Sequence, residues 1–288
     1  MAAITEHEII FSVPSSSLPK PLPAFDKIAE LVDNSDQPII HGTVPLCETY
    51  IVKFGADVDP VEGKNLLFIR ANTDVPVPQV FAIYRKDWKT TKITYIVMEN
   101  IDGNSLISLW DNLTDTEKTS IASQLQKMFD TLRSLPSPGY FGSVGRHKLL
   151  DGLFGTQEDQ GNFNGPFDNV DELIEAMIKR YLRDCGDRVR YRADYFRRVL
   201  PQVLRGSGVS VFTHNDLQRK NIVIRPDGGA VIVDFGASGW YPSYWEYATA
   251  MFAFEAQKDD WHVYVGKILE EYPNHYAWMN ILRLEMWG

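Results

Sequence analysis

Cysteine is scarce in this chain of 288 residues: Cys47 and Cys185 are the only two, they lie far apart, and they form no metal-type spacing. Two free thiols in a cytoplasmic protein are therefore expected, rather than a disulfide framework. Positive charge is in deficit as well. Lys and Arg number 29 against 38 Asp and Glu, for a net charge of −9, so the basic excess of a general nucleic-acid binder is missing and no nucleic-acid partner is expected. An acidic surface is compatible with a cationic small substrate, although a solubility charge is the simpler explanation. No uninterrupted apolar run is long enough to span a bilayer, so no membrane partner is expected. Met1 to Glu8 lacks the basic stretch and apolar core of a signal peptide. No internal repeat is found. What is present is an ordinary globular composition, 44% apolar and 23% charged, in a chain long enough for one large domain or two lobes sharing a cleft.

The pattern of apolar residues changes along the chain. Residues 12–23 are rich in Ser and Pro and are expected to be extended, within an N-terminal lead-in covering 1–24. Phe25, Ile28, Ala29 and Val32 follow a short helical pattern. Ile39–Ile40 and Thr49–Phe54 read as strands, the second β-branched and aromatic and ended by Gly55. Asp59-Pro60-Val61-Glu62 reads as a helix start, with Asp59 as N-cap, Pro60 in the first helical position and Glu62 completing a capping box. That helix is expected to run to about Ala71 with Leu66, Leu67 and Ile69 inward. Val75–Pro78 is a rigid loop, and Gln79–Tyr84 with Ile93–Met98 form two antiparallel strands. Beyond Asn100 the periodicity is helical. Thr114–Glu117 opens a helix to about Leu135 with Ile121, Leu125, Met128, Phe129 and Leu132 on one face. Residues 136–167 are Gly-rich and irregular, and a loop of that length is commonly functional. Two helices over 168–204 and helical patterns at 243–256, 258–271 and 274–286 complete the chain. The expected fold class is α+β: a small antiparallel-sheet lobe over 1–98, a hinge at 99–104 and a larger, mainly helical lobe over 105–288.

The chemistry concentrates between Val209 and Gly236. An apolar strand leads into His214-Asn215-Asp216-Leu217-Gln218-Arg219-Lys220-Asn221, a second strand follows, and the turn Pro226-Asp227-Gly228-Gly229 returns the chain to Asp234-Phe235-Gly236. Phosphoryl transfer from a nucleotide needs a carboxylate to orient and deprotonate an acceptor hydroxyl. It also needs oxygen ligands for the magnesium that neutralises the triphosphate. Asp216 fits the base, Asn221 and Asp234 fit the metal ligands, and His214 fits a brace for the loop better than a proton carrier. Any one of these residues alone would be ordinary turn chemistry. The four together, at this spacing and with strands on either side, form a specific pattern.

That pattern resembles the aminoglycoside phosphotransferase and choline kinase group, and more closely its many fungal members. The family's His-x-Asp-Leu-x-x-x-Asn stands here as His214 to Asn221. Its Gly-Trp-x-Pro-x-x-Trp-Glu is similar to Gly239-Trp240-Tyr241-Pro242-Ser243-Tyr244-Trp245-Glu246. Val52-Lys53-Phe54-Gly55 resembles the family's strand lysine, Thr73 to Pro78 its Thr-x-x-Pro-x-Pro run, and Tyr95 to Gly103 its hinge strand, so the likeness spans most of residues 50–250. The resemblance implies a two-lobed protein-kinase-like fold, ATP and Mg2+ as cofactors, and a small-molecule hydroxyl acceptor, with fungal secondary metabolism as a context. Two departures stand out. Asp-Phe-Gly replaces the Asp-Trp-Glu of many fungal members, and no Gly-x-Gly-x-x-Gly occurs near 39–50, where only Gly42 is available.

For the nucleotide, Lys53 is expected to meet the phosphates, held by Glu62. The alternatives are a lysine facing solvent from an edge strand, a Glu62 that only caps its helix, and Glu48 as the acid. Met98, Glu99 and Ile101 are expected to meet the adenine through the backbone. Acceptor-lining candidates lie in 151–166, 168–182 and 243–262. Glu246, Glu255, Asp259 and Asp260 are possible holders of amino groups, and Trp240, Tyr241, Tyr244, Trp245 and Tyr247 a possible aromatic wall; structural bridges and core packing are the competing roles. A pseudokinase that binds without turnover and a protein kinase remain as other functions. The region after Asp234 has neither Ala-Pro-Glu nor the length of an activation loop.

Overall fold

The computed structural model describes residues 7–35, 41–155, 163–206, 208–253 and 256–287. In chain order the strands and helices are β1 (His7–Ser12), α1 (Phe25–Asp33), β2 (Gly42–Pro45), β3 (Tyr50–Gly55), α2 (Pro60–Asn72), β4 (Val80–Trp88), β5 (Thr91–Glu99), β6 (Asn104–Ser105), α3 (Leu106–Leu109), α4 (Asp115–Arg133), α5 (Val170–Cys185), α6 (Arg190–Leu204), β7 (Ser210–Thr213), β8 (Ile222–Ile224), β9 (Ala230–Ile232), β10 (Gly239–Pro242), α7 (Trp245–Phe252), α8 (Trp261–Ile268) and α9 (Pro273–Trp287). The fold is α+β and divides into two compact units, Met1–Gly103 with Arg225–Gly236, and Asn104–Ile224 with Ala237–Gly288. Residues 225–236, assigned from sequence to the larger lobe, thus cluster with the smaller one.

The first unit is built on an antiparallel five-stranded sheet in the order β1-β4-β5-β3-β2. Alternation along β3 decides what lies on each face. Tyr50, Val52 and Phe54 pack into a core with Phe25, Ile28, Ala29 and Val32 of α1. Lys53 points to the other face, in register with Ile96 of β5, which is itself paired with Ile83 of β4. Helix α2 lies on that second face. It approaches so closely at Gly63 that an added Cβ would sit 2.5 Å from Ile83 Cδ1.

Two strands here were not expected, β1 and β2, the second pairing with β3 from Gly42↔Phe54 to Pro45↔Ile51. Within the lead-in, β1 pairs with β4 from His7↔Lys86 to Ser12↔Ala82. A register shift between Ile9 and Phe11 breaks its alternation, which removes the two-residue period by which a strand is recognised. The expected strand at Ile39–Ile40 lies outside the described residues.

In the second unit, α4 opens with the full capping box: Thr114 Oγ1 accepts the Glu117 N–H, and Glu117 accepts the Thr114 N–H. Its buried face is Ile121, Ala122, Leu125, Met128, Phe129 and Leu132. Helices α5, α6, α7 and α9 enclose a core that also takes in Leu149, Leu153 and Phe154 of the irregular stretch after α4. The helix expected from 243 is shorter, and the residues before it form β10, whose Trp240 pairs with Phe212 of β7. All four β10 residues are buried, so no polar-apolar alternation marks the strand in sequence. Among the described residues, no helix is long and apolar enough to cross a membrane.

Candidate active site

The predicted residues gather in two places. Lys53, Glu62, Asp234, Met98, Glu99 and Ile101 belong to the first unit, and His214, Asp216 and Asn221 to the second.

In the first unit Lys53 Nζ donates to Glu62 Oε1 at 2.8 Å and to Asp234 Oδ1 at 2.7 Å. A solvent-facing edge lysine is excluded, because β3 is flanked by β5 and β2. The capping box expected for α2 is only half formed. Asp59 accepts the Val61 N–H at 2.8 Å, while Glu62, 3% exposed, turns to Lys53 instead. Glu48 is not the acid: its side chain is 97% exposed and lies beside Lys20. The third member, Asp234, has a left-handed backbone, φ 65°, a conformation a non-glycine residue holds only when its surroundings fix it. Asn65 of α2 supplies part of that restraint by donating to the Phe235 carbonyl at 2.9 Å. Gly236 keeps room open: a Cβ there would lie 3.3 Å from Glu62 Oε2 and 3.6 Å from Asp234 Oδ1.

Burial pushes the Glu62 carboxyl up to about 7, with Asp234 adding to the shift and Lys53 opposing it. Burial also works against the Lys53 ammonium, but the attraction of Glu62 and Asp234 outweighs it and holds the lysine charged, its pKa raised. The result is a fixed cation beside two carboxylates.

At the end of β5, Met98 is buried and Ile101 half-buried. Glu99 turns its carboxylate to the Gln79 N–H at 3.2 Å and the Arg225 guanidinium at 3.1 Å. The Asn100 N–H donates to the Thr49 carbonyl at 3.0 Å. The segment is thus tied to Thr49 and Gln79, the residues just before β3 and β4, and to Arg225.

In the second unit β7 delivers His214, and a short 3-10 turn, Arg219–Asn221, leads into β8. His214 is 1% exposed. Its Nδ1 accepts the Asp216 N–H at 3.2 Å, and its ring meets Phe129 edge-on. Asp216 keeps 29% of its side chain exposed, with the Lys220 ammonium 3.5 Å from Oδ2. Gln218 donates to its Oδ1. Asn221 Nδ2 donates to Asp216 Oδ2 at 2.6 Å and to the Asp216 carbonyl at 3.0 Å. The amide nitrogen is thereby committed, and Oδ1 is the Asn221 atom suited to a hard cation.

Glu246, for which the sequence left open an amino-group contact or a structural bridge, is a bridge and is 1% exposed. Its Oε2 accepts the His214 N–H at 2.6 Å and both oxygens accept the Asn215 N–H at 3.1 Å. Burial raises its pKa, opposed by His214 and by these backbone donors. The Trp-Glu pair was visible in the sequence; its partners, more than thirty positions upstream, were not. Asp259 and Asp260 are bridges too. Asp259 pairs with Arg219 at 2.8 Å; Asp260 takes Lys118 at 2.9 Å and the Trp110 indole N–H at 2.8 Å. Trp240, Tyr241, Tyr244, Trp245 and Tyr247 are all core. Glu255 lies outside the described residues.

Among the described residues no group of three or more His, Cys, Asp or Glu is placed to hold a metal ion.

The sequence model of the phosphotransferase enzyme family (APH) matches residues 60–282. A subtelomeric hrmA-associated cluster protein of Aspergillus fumigatus is 37% identical over 90 residues, 31% of this chain and 18% of that protein, and its counterpart in a second strain matches to the same extent. This chain therefore aligns with less than a fifth of those relatives' length. Among solved structures, the streptomycin–ATP ternary complex of APH(2")-IIa is similar with a TM-score of 0.54 at 12% identity, over 91% of this chain and 83% of that one. The gentamicin complex of the same protein gives 0.54 at 14% identity, over 93% and 85%. Spectinomycin phosphotransferase APH(9)-Ia with ADP and spectinomycin gives 0.50 at 13% identity, over 93% and 86%. At such identities the likeness is one of fold, and it is a kinase-like fold.

Proposed function

Because the chain belongs to the phosphotransferase enzyme family, we propose that it transfers the γ-phosphate of ATP to a hydroxyl of a small molecule, with Mg2+ as the metal. The observation that carries this reading is the loop in the second unit. It offers one part-exposed carboxylate, Asp216, oriented by Gln218 and Asn221 and resting on a backbone gripped by buried Glu246. A carboxylate so held can accept the acceptor's proton as the oxygen attacks. His214 positions that loop.

The charged Lys53 is assigned to the nucleotide phosphates, with Glu62 as its anchor. Met98, Glu99 and Ile101 are assigned to the adenine by the family resemblance. ATP as donor is supported by the ATP and ADP complexes of the similar structures. Asp234 and Asn221 are assigned to the magnesium by the family resemblance; a carboxylate and an amide oxygen are both hard oxygen donors of the kind magnesium takes. The ion would supply charge neutralisation to the phosphates. The acceptor class follows the aminoglycosides and spectinomycin held by those relatives, widened to amino alcohols and hydroxylated natural products. With Cys47 and Cys185 as free thiols, a cytoplasmic setting completes the reading.

An ATP-consumption screen over aminoglycosides, choline-like amino alcohols and hydroxylated natural products tests it, with Asp216→Asn alongside. The variant is expected to melt like the wild type, to keep an ATP- and magnesium-dependent thermal shift, and to lose turnover. An unchanged rate in Asp216→Asn would sink the mechanism. Binding of ATP by the wild type without phosphate transfer to any acceptor would favour a pseudokinase, and labelled phosphate appearing in protein alone would favour a protein kinase.

A further inference from the structure

The loop that carries Asp216 is held by a second buried carboxylate, for which the chemistry above has no use. Asp151 lies in the irregular stretch after α4, between the fully buried Leu149 and Leu153, and is itself 7% exposed. Its Oδ1 accepts the Leu153 N–H at 2.7 Å. Its Oδ2 accepts the Asn215 side-chain amide at 2.9 Å and the Trp245 indole N–H at 2.9 Å. All three partners are donors. Only an acceptor-only group satisfies them together; an amide in its place would turn its own NH2 either on Leu153 or on the Asn215–Trp245 pair. A buried charge needs compensation, and Asp151 interacts electrostatically with the buried Arg283 guanidinium.

Asn215 is the residue immediately before Asp216, and its backbone is left-handed, φ 72°. That conformation is disfavoured for any side chain unless local bonds hold it. Glu246 holds the Asn215 backbone N–H. The side chain is held separately: besides Asp151, its amide donates to Tyr241 Oη at 3.2 Å, and Tyr241 in turn donates to the Ala237 carbonyl at 2.9 Å. The turn that aims Asp216 is therefore fixed from two sides, one of them running through Asp151.

We propose that Asp151 is a positioning residue for the transfer reaction, acting through the Asn215 side chain to fix the direction in which Asp216 presents its carboxylate. This rests on the reading of Asp216 as the base. It follows that Asp151 matters to the step in which Asp216 takes the proton and not to nucleotide binding. Its effect must also vanish once the Asn215 arm is removed.

The test compares Asp151→Asn, Asn215→Gly and the double variant in the full chain, with Glu175→Gln on α5 as a surface control. Glycine tolerates the left-handed backbone and deletes only the arm. The first readout is phosphate release from MgATP with water as acceptor. Each single variant is expected to lower kcat by about 10- to 100-fold, the scale of a small misplacement of a catalytic group. KM for MgATP should stay within about twofold, and the double variant should fall no further than the singles. The second readout is amide hydrogen exchange over 213–218 without ligand. It should speed up by at least about tenfold in each single variant, with no further gain in the double and no change over α6.

Additive losses in the double variant would overturn the proposal, as would a folded Asp151→Asn with wild-type kcat and wild-type loop exchange. So would faster exchange throughout the second unit together with a raised KM, since that is the signature of a purely structural residue. Should Asp151→Asn not fold, Asn215→Gly decides alone, because it leaves the Leu153 and Trp245 bonds of Asp151 in place; normal kcat and normal loop exchange in it would reject the idea. A wild type that releases no phosphate would remove the proposed function, and the exchange comparison would still decide the role of Asp151.

Discussion

Lys53 keeps its charge against the pull of burial, because two carboxylates stand within 2.8 Å of its ammonium. The same arrangement makes Glu62 sensitive to the loss of its partner. A buried carboxylate without a counter-charge prefers its proton, and Glu62 already sits near 7 against an ordinary 4.5. Lys53→Met removes the opposing cation and drives that value further up. The folded state then binds the Glu62 proton more tightly than the unfolded state does. Its contribution to stability is complete below about pH 4.5 and is lost as pH rises through the folded value. The Tm deficit of Lys53→Met relative to wild type is thus expected to be larger near pH 8 than near pH 5.5. Turnover should fall roughly 100-fold, as when a preorganised donor to developing charge is deleted. Melting curves at the two pH values check the first expectation, and equal deficits would contradict it.

Helix α2 shows how a site residue is placed by packing rather than by its own contacts. Glu62 reaches Lys53 because the next residue, Gly63, lets the helix lie close against Ile83 and Ile96. Gly63→Ala gains about 1 kcal/mol of helix propensity but inserts a methyl 2.5 Å from Ile83 Cδ1 and 3.0 Å from Cγ1. Overpacking of this kind costs about 1–3 kcal/mol, so a net loss of stability is expected. Ile83→Val deletes the colliding Cδ1. In urea unfolding the pair Gly63→Ala/Ile83→Val should be destabilised less than the sum of the singles, by at least about 0.5 kcal/mol; strict additivity would show that the helix moves and not the side chain. The elements legible in the sequence were those whose signals are local. The Thr114–Glu117 box, the Asp59-Pro60 start and the inward face of α4 each need only a few neighbouring residues. What could not be read depends on distant partners. The bulged β1 acquires meaning only beside β4, the fully buried β10 only beside β7, and Glu246 only against the backbone of His214 and Asn215. The split of Glu62 between cap and ion pair was open in the sequence because the deciding groups, Lys53 and Asp234, come from separate stretches of chain.

Across the whole molecule, the order of the chain and the division into units do not coincide. Residues 225–236 leave the second unit, join the first, and return. The short excursion is bound at several points: Arg225 to Glu99 at 3.1 Å, the Ile232 N–H to the Pro76 carbonyl at 3.2 Å, Asp234 to Lys53, and the Phe235 carbonyl to Asn65. The first unit is thus completed by residues that follow most of the second in sequence, and the His214–Asn221 loop and Asp234 are joined by a tether of a dozen residues. A defect in this segment should be felt where it is bonded and not merely where it is in sequence. Ile232 is 1% exposed, and Ile232→Ala is expected to cost about 2–5 kcal/mol through lost burial and the cavity left behind. Native-state hydrogen exchange reads where that cost falls. Amides of β3, α2 and β4 should lose protection by the full amount, whereas those of α5 and α6 in the second unit should keep theirs. Equal loss in both units would show that the whole chain unfolds as one cooperative body, and loss confined to 225–236 would show that the first unit stands without it.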